Sequence, residues 1–169
     1  PRVGEDWNTK SFINAYDLKI ENTVIVENFY GPKEQSLPFG DYTFVASARN
    51  LVWKNFDILG EVFQKFQEEY SQAKLFTDNL KYTEFIEKIK SSYAVVLVSI
   101  GDISPNMILD AIRLNKPFIC TREIGIYDRI KSCGIYVDPL NKQEILEAFK
   151  KIMNAQVYNL EKKKVEDFN

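Results

Sequence analysis

The sequence predicts an α/β fold in which one parallel sheet carries helices on both faces, and three observations carry that prediction. Short, continuous apolar runs recur from Asp41 onward, as in strands buried on both sides, whereas a half-exposed sheet would show alternation. Between them lie stretches whose apolar residues recur every three or four positions, the mark of amphipathic helices. The two patterns alternate along the chain, which implies right-handed βαβ units and a Rossmann-like sheet.

Residues 1–40 read as a linker or partial N-terminal region, with one β-like stretch at Thr23–Val26 and a turn-rich segment from Gly31 to Gly40. The sheet region spans 41–153. Its strands are expected at Tyr42–Ala48, Ala94–Ser99, Pro117–Thr121 and Ile135–Val137, with a weaker one at Ala73–Thr77. Phe56, Leu59, Phe63, Phe66 and Tyr70 share a helical face, as do Phe85, Ile86, Ile89 and Tyr93. Met107, Ile108, Ala111 and Ile112 form a third such set, and Ile145, Leu146, Phe149, Ile152 and Met153 a fourth. Asn141, with Glu144 three residues on, opens the fourth in the manner of a capping box. All four stripes read as core. Residues 154–169 form a charged C-terminal tail with Lys162, Lys163 and Lys164 in a row, read as a solvated helix or a frayed end.

The 169 residues suit one domain, and 12 Phe and 9 Tyr can fill a sizeable core. A net charge of −2 and a pI near 5.4 argue against broad nucleic-acid binding, so any anion site must be local. Histidine is absent, which removes Ser-His and Cys-His nucleophile systems and His-based metal sites from this chain. Cys120 and Cys133 form neither a disulfide framework nor a metal-ligand spacing, which suits a reducing compartment. No signal peptide or membrane span is read, so the expected location is cytoplasmic, with a peripheral place at the inner membrane face left open. The chain begins at Pro1 without an initiator Met, which suggests a piece of a longer protein.

In open α/β sheets, ligands sit beyond the carboxyl ends of the strands. The most informative such end is Ser99-Ile100-Gly101-Asp102-Ile103-Ser104-Pro105-Asn106-Met107. Ser104 is a good N-cap and Pro105 suits the first helical position. A helix would then start near Pro105 and stop at Asn115, and the amides of Asn106, Met107 and Ile108 would face the crevice. Those amides and the helix dipole can hold an anion. A second cluster strengthens this. Arg49 follows the first strand and Lys54 lies five residues on, which brings two cations to the same edge. Arg offers phosphate a planar fork and Lys a compact charge. Asp102 and Asp110, eight apart, cannot form a close acid pair, but one could take hydrogen bonds from sugar hydroxyls and the other from a ribose diol. No GxGxxG and no Walker A loop are present, which weakens the dinucleotide and P-loop readings.

Taken together these residues resemble the donor-binding C-terminal domain of GT-B glycosyltransferases, in the large retaining E-x7-E family (glycosyl transferases group 1). That family has G-R-x4-K after its first strand, and Ala48-Arg49-Asn50-Leu51-Val52-Trp53-Lys54 keeps the Arg and Lys spacing. Its later signature is matched by Ser99-Ile100-Gly101-Asp102, Asp110-Ala111, Asn115-Lys116-Pro117-Phe118-Ile119-Cys120-Thr121 and Gly125-Ile126-Tyr127-Asp128-Arg129-Ile130. Tyr136-Val137-Asp138-Pro139 resembles its closing L-V-x-P, and Val24-Ile25-Val26-Glu27-Asn28 the stretch leading in. The likeness covers roughly Thr23 to Met153. Both acids are Asp where the family has Glu, Ile103 replaces its Gly, and Ala48 replaces the Gly before Arg.

The resemblance implies a nucleotide-sugar domain of a retaining enzyme that transfers a hexose to a glycan or glycolipid acceptor, in polysaccharide biosynthesis. Arg49 and Lys54 would bind the donor diphosphate, helped by Ser104, Pro105 and the amides of Asn106, Met107 and Ile108. Asp102 would contact the donor sugar and Asp110 the ribose. Asp102, Arg49 and Lys54 would be catalytic. The donor would be a UDP-sugar or GDP-sugar, with no metal or other cofactor required. The acceptor domain would lie outside this chain, leaving the isolated domain inactive in transfer. The alternative is a degenerate, non-catalytic glycosyltransferase-like module. An epimerase would need a glycine-rich first turn, and a flavodoxin-like receiver an acidic pocket where Arg49 stands.

Overall fold

The structure, a computed structural model, describes residues 32–35, 38–46, 51–103 and 105–168. The expected strand at Thr23–Val26, residues 47–50 with Arg49, and Ser104 lie outside the described residues.

Five parallel strands form one sheet: β1 (Thr43–Ala46), β2 (Lys74–Phe76), β3 (Ala94–Leu97), β4 (Phe118–Thr121) and β5 (Ile135–Val137), in the order β2-β1-β3-β4-β5. The registers Val45↔Val95 and Val96↔Ile119 place the apolar runs side by side across its centre. Among the described residues, six α-helices connect or follow the strands: α1 (Phe56–Gln67), α2 (Tyr82–Ser91), α3 (Asn106–Arg113), α4 (Tyr127–Ile130), α5 (Lys142–Met153) and α6 (Ala155–Asp167).

Alternate side chains of each strand enter two cores, as the pleat requires. Phe44, Ala46, Val96, Ile119 and Val137 pack under α1 and α5. Here Phe44 meets Phe149 edge-on with ring centres 5.1 Å apart, a favoured aromatic geometry. Val45, Val95, Leu97, Phe118 and Cys120 pack under α2, α3 and α4. Gly134, at φ +84°, leads into β5, and a Cβ there would lie 2.2 Å from Phe118 Cε2. Only glycine satisfies both constraints.

Three expectations are corrected. Pro105 is the N-cap of α3 and not its first helical residue, so the helix opens at Asn106. Asn115 does mark the stop, in the left-handed region at φ 54° that Asn tolerates. Glu144 does not close a capping box. Asn141 Oδ1 accepts from the Glu144 amide at 3.1 Å, but the Glu144 carboxylate turns to the Asp138 amide and to Arg122. The tail is the helix of the two readings and not a frayed end, but it is not solvated throughout. In α6, Tyr158, Glu161 and Val165 are buried, Tyr158 stacks on Tyr93 at 4.4 Å, and Glu161 accepts from the Gly134 amide at 3.1 Å.

Candidate functional site

The chain leaves β1 toward β2 on one side of the sheet, and from β3 it proceeds to β4 and β5 on the other. The switch point therefore lies between β1 and β3, and the crevice beyond their carboxyl ends is where such sheets take ligands. Lys54 reaches this crevice from β1, and Asp102 reaches it from β3.

A 3-10 turn at Val52–Lys54 delivers the lysine and ends at Asn55, which sits at φ 60°. The Asn55 side-chain amide donates to the carbonyls of Val98, at 3.1 Å, and Pro139, at 2.7 Å. One buried amide thus ties together the segments that follow β1, β3 and β5. The Ile100 amide adds a bond to the Trp53 carbonyl at 2.8 Å. On the other side, Asp102 forms a parallel bridge with Ile124: its amide donates to the Glu123 carbonyl and its carbonyl accepts from Gly125, both at 2.9 Å. Gly125 is required by this approach, since a Cβ would stand 2.5 Å from the Ile103 carbonyl oxygen.

Between these two anchored segments, Lys54 Nζ donates to Asp102 Oδ2 at 2.6 Å. Their side chains are only 12% and 18% exposed. Lys54 and Asp102 do meet in one crevice, but each occupies the other. Beneath them, burial first and the Asp102 carboxylate second push the Cys120 thiol far up, so it is no nucleophile.

Asp110 lies on the second turn of α3 and is buried. Its Oδ1 accepts from the Tyr82 hydroxyl at 3.0 Å, and Arg113 approaches at 3.5 Å. Burial raises the Asp110 carboxyl above its ordinary value, opposed by Tyr82 and then Arg113. At the start of α3, the amide of Ile108 is already committed to the Pro105 carbonyl at 3.0 Å, which removes it from the expected cradle. Asn55 and Tyr82 escape the reading of the sequence. The signal for Asn55 was its place just before a helix, directly after a cation. Tyr82, at the start of an amphipathic stretch, carried none.

Large apolar side chains rim this edge. Val52, Trp53, Tyr82, Ile100, Ile103 and Leu140 are all exposed, and all lie on segments that leave carboxyl ends of strands. Among the described residues, no helix is long and apolar enough to cross a membrane, and no group of three or more His, Cys, Asp or Glu side chains could hold a metal ion.

No family model and no curated protein matches the chain. Solved structures do. The C-terminal domain of a glycosyl transferase group 1 family protein, LpcC from Francisella tularensis, superposes with a TM-score of 0.59 at 14% identity, over 82% of this chain and 93% of that one. The fold is that of the C-terminal half of a GT-B glycosyltransferase. The lipopolysaccharide outer core galactosyltransferase WaaB, in apo form, matches this GT-B-type chain with a TM-score of 0.60 at 14% identity, over 96% of this chain and 56% of its own. A point mutant of S. aureus TarM, in complex with Fondaparinux, alpha-GlcNAc-glycerol and UDP, matches with a TM-score of 0.65 at 13% identity, over 95% and 39%. The GT-B-type chain thus spans 56% of WaaB and 39% of TarM.

Proposed function

We propose that this chain is the nucleotide-sugar-binding half of a retaining glycosyltransferase that passes a hexose to a glycan or glycolipid acceptor. The observation that carries the reading is the meeting of Lys54 and Asp102 at the switch point of a GT-B-type sheet. Lys54, with Arg49 from the same segment and the amides of Asn106 and Met107, would hold the diphosphate. As the bond to the sugar breaks, charge gathers on the leaving phosphate oxygen, and fixed cations and amide dipoles stabilise it without a metal. Asp102 would face the sugar and Asp110 the ribose. UDP in the TarM complex supports a uridine donor as the first choice, with GDP-sugars next. The apolar rim of Val52, Trp53, Ile100, Ile103 and Leu140 supports a second, acceptor-binding domain closing over the crevice.

Titrating UDP- and GDP-hexoses into the 15N-labelled chain should shift the amide signals of Arg49, Lys54, Asn106 and Asp110. Lys54→Met should weaken binding by about tenfold, the worth of one charge-assisted hydrogen bond. Unmoved signals at those positions up to millimolar ligand would reject the reading. A second reading, a non-catalytic module of the same fold, is favoured by one observation: both acidic positions already have protein partners, Lys54 for Asp102 and Tyr82 for Asp110. Asp110→Ala in the full-length protein separates the two, since an enzyme should lose most of its transfer rate and a module should lose nothing.

A further inference from the structure

We propose that Asp102 is a built-in competitor for Lys54, and that this competition makes the site favour the intact nucleotide sugar over the free nucleoside diphosphate. The inference rests on the donor-binding reading above and adds to it a basis for discrimination. Its observation is the ion pair: Nζ to Oδ2 at 2.6 Å, with both side chains largely covered.

An exposed lysine-carboxylate pair contributes little, because two long side chains must be ordered and water screens them. This pair is largely covered, so water screens it little, and the backbone on each side of it is anchored. The Lys54 backbone is held by the turn that ends at Asn55, and Asn55 is bound to Val98 and Pro139. The Asp102 backbone is held on both sides, by Glu123 and Gly125. A phosphate that arrives must outbid a carboxylate already in place. When it succeeds, Asp102 is left covered and beside an anion, which is costly unless donors reach it.

The two ligands differ at this step. A free nucleoside diphosphate takes Lys54 and offers Asp102 only repulsion. A nucleotide sugar carries hydroxyl groups on the far side of the same diphosphate, and these can donate to the released carboxylate. The sugar thus offsets the cost of breaking the pair, and the spent nucleotide does not. Product release is favoured by the same arrangement.

The test measures affinities of the full chain for pyrophosphate, UDP and a panel of UDP-hexoses by calorimetry, with thermal unfolding as the check on folding. Asp102→Asn should tighten pyrophosphate and UDP binding by about fivefold to tenfold. It should also shrink the margin by which UDP-hexoses bind better than UDP. In a Lys54→Met background the gain should vanish, since nothing remains to compete for. Glu123→Gln, which neutralises an exposed carboxylate on the neighbouring segment, should give much less.

Wild-type binding with Asp102→Asn equal or weaker would overturn the inference and leave the donor-binding reading standing. So would a gain that survives in Lys54→Met or is matched by Glu123→Gln, because general charge would then explain it. No nucleotide binding by any variant would reject the donor-binding reading itself. Should Asp102→Asn fail to fold, Asp102→Ala is read by the same criteria.

Discussion

At Asp110 burial and hydrogen bonding pull the carboxyl in opposite directions, and pH separates the two. Burial raises its carboxyl above the ordinary value of 3.8, with Tyr82 and then Arg113 pulling it down. A carboxyl that holds its proton more tightly folded than unfolded adds stability at acid pH, and that contribution is lost as pH climbs through the folded value. At neutral pH the ionised group therefore costs stability. Asp110→Asn removes the buried charge and keeps an acceptor for the Tyr82 hydroxyl, while Arg113 keeps its ion pair with Glu34 at 2.5 Å. Thermal unfolding at pH 7 should give the variant a Tm equal to or above the wild type, with the difference closing toward pH 4. On the proposed donor-binding reading, nucleotide-sugar affinity should fall nonetheless, because a neutral amide binds a ribose diol more weakly. A lower Tm at pH 7 would mean that Arg113 outweighs burial.

The segments that follow β1, β3 and β5 depend on Asn55 in the same way that the site depends on Lys54. Asn55→Ala replaces a residue that tolerates φ 60° with one that does not, and it orphans two carbonyls, of Val98 and Pro139. Left-handed strain costs about 1 kcal/mol and the unmet carbonyls about 1–3 kcal/mol. Urea unfolding should show a loss of about 2–4 kcal/mol, with Asn55→Gly recovering only the strain. A full recovery in Asn55→Gly would show that the tether contributes nothing. The central strands were legible as apolar runs because both their faces are covered: β3 and β4 are buried throughout, whereas edge strand β2 is partly exposed and reads weakly. The packing of α6 was not legible, since three buried side chains among its lysines and acids give almost no apolar stripe. The site was half legible. Lys54 and Asp102 could each be placed at a strand end, but 48 residues separate them, and only the sheet order brings them into contact.

At the opposite, amino-terminal edge of the sheet, Lys116 makes the stability of the fold depend on pH. Its side chain is covered, and Nζ donates to the Ser92 carbonyl at 3.1 Å. Burial first, then repulsion from Lys162, lower its ammonium from 10.5 to about 8. A group depressed in the folded state supports the fold above its unfolded value, and this support is lost as pH falls through the folded value. The wild type should thus gain stability relative to Lys116→Met between about pH 8 and 10.5. At pH 7 the charged, covered ammonium opposes folding by at most about 3 kcal/mol, from which the hydrogen bonds it makes take back about 1–2 kcal/mol. Lys116→Met, similar in length and apolar, should therefore raise the Tm at pH 7 by about 3 °C. That advantage should shrink above about pH 8 and reverse at about pH 9, because the neutral amine keeps its bond to Ser92 and methionine has none. Calorimetric scans of both proteins from pH 6 to 10.5 would decide it: a Tm difference that does not change with pH would mean that the ammonium titrates alike folded and unfolded, its charge fully met by partners.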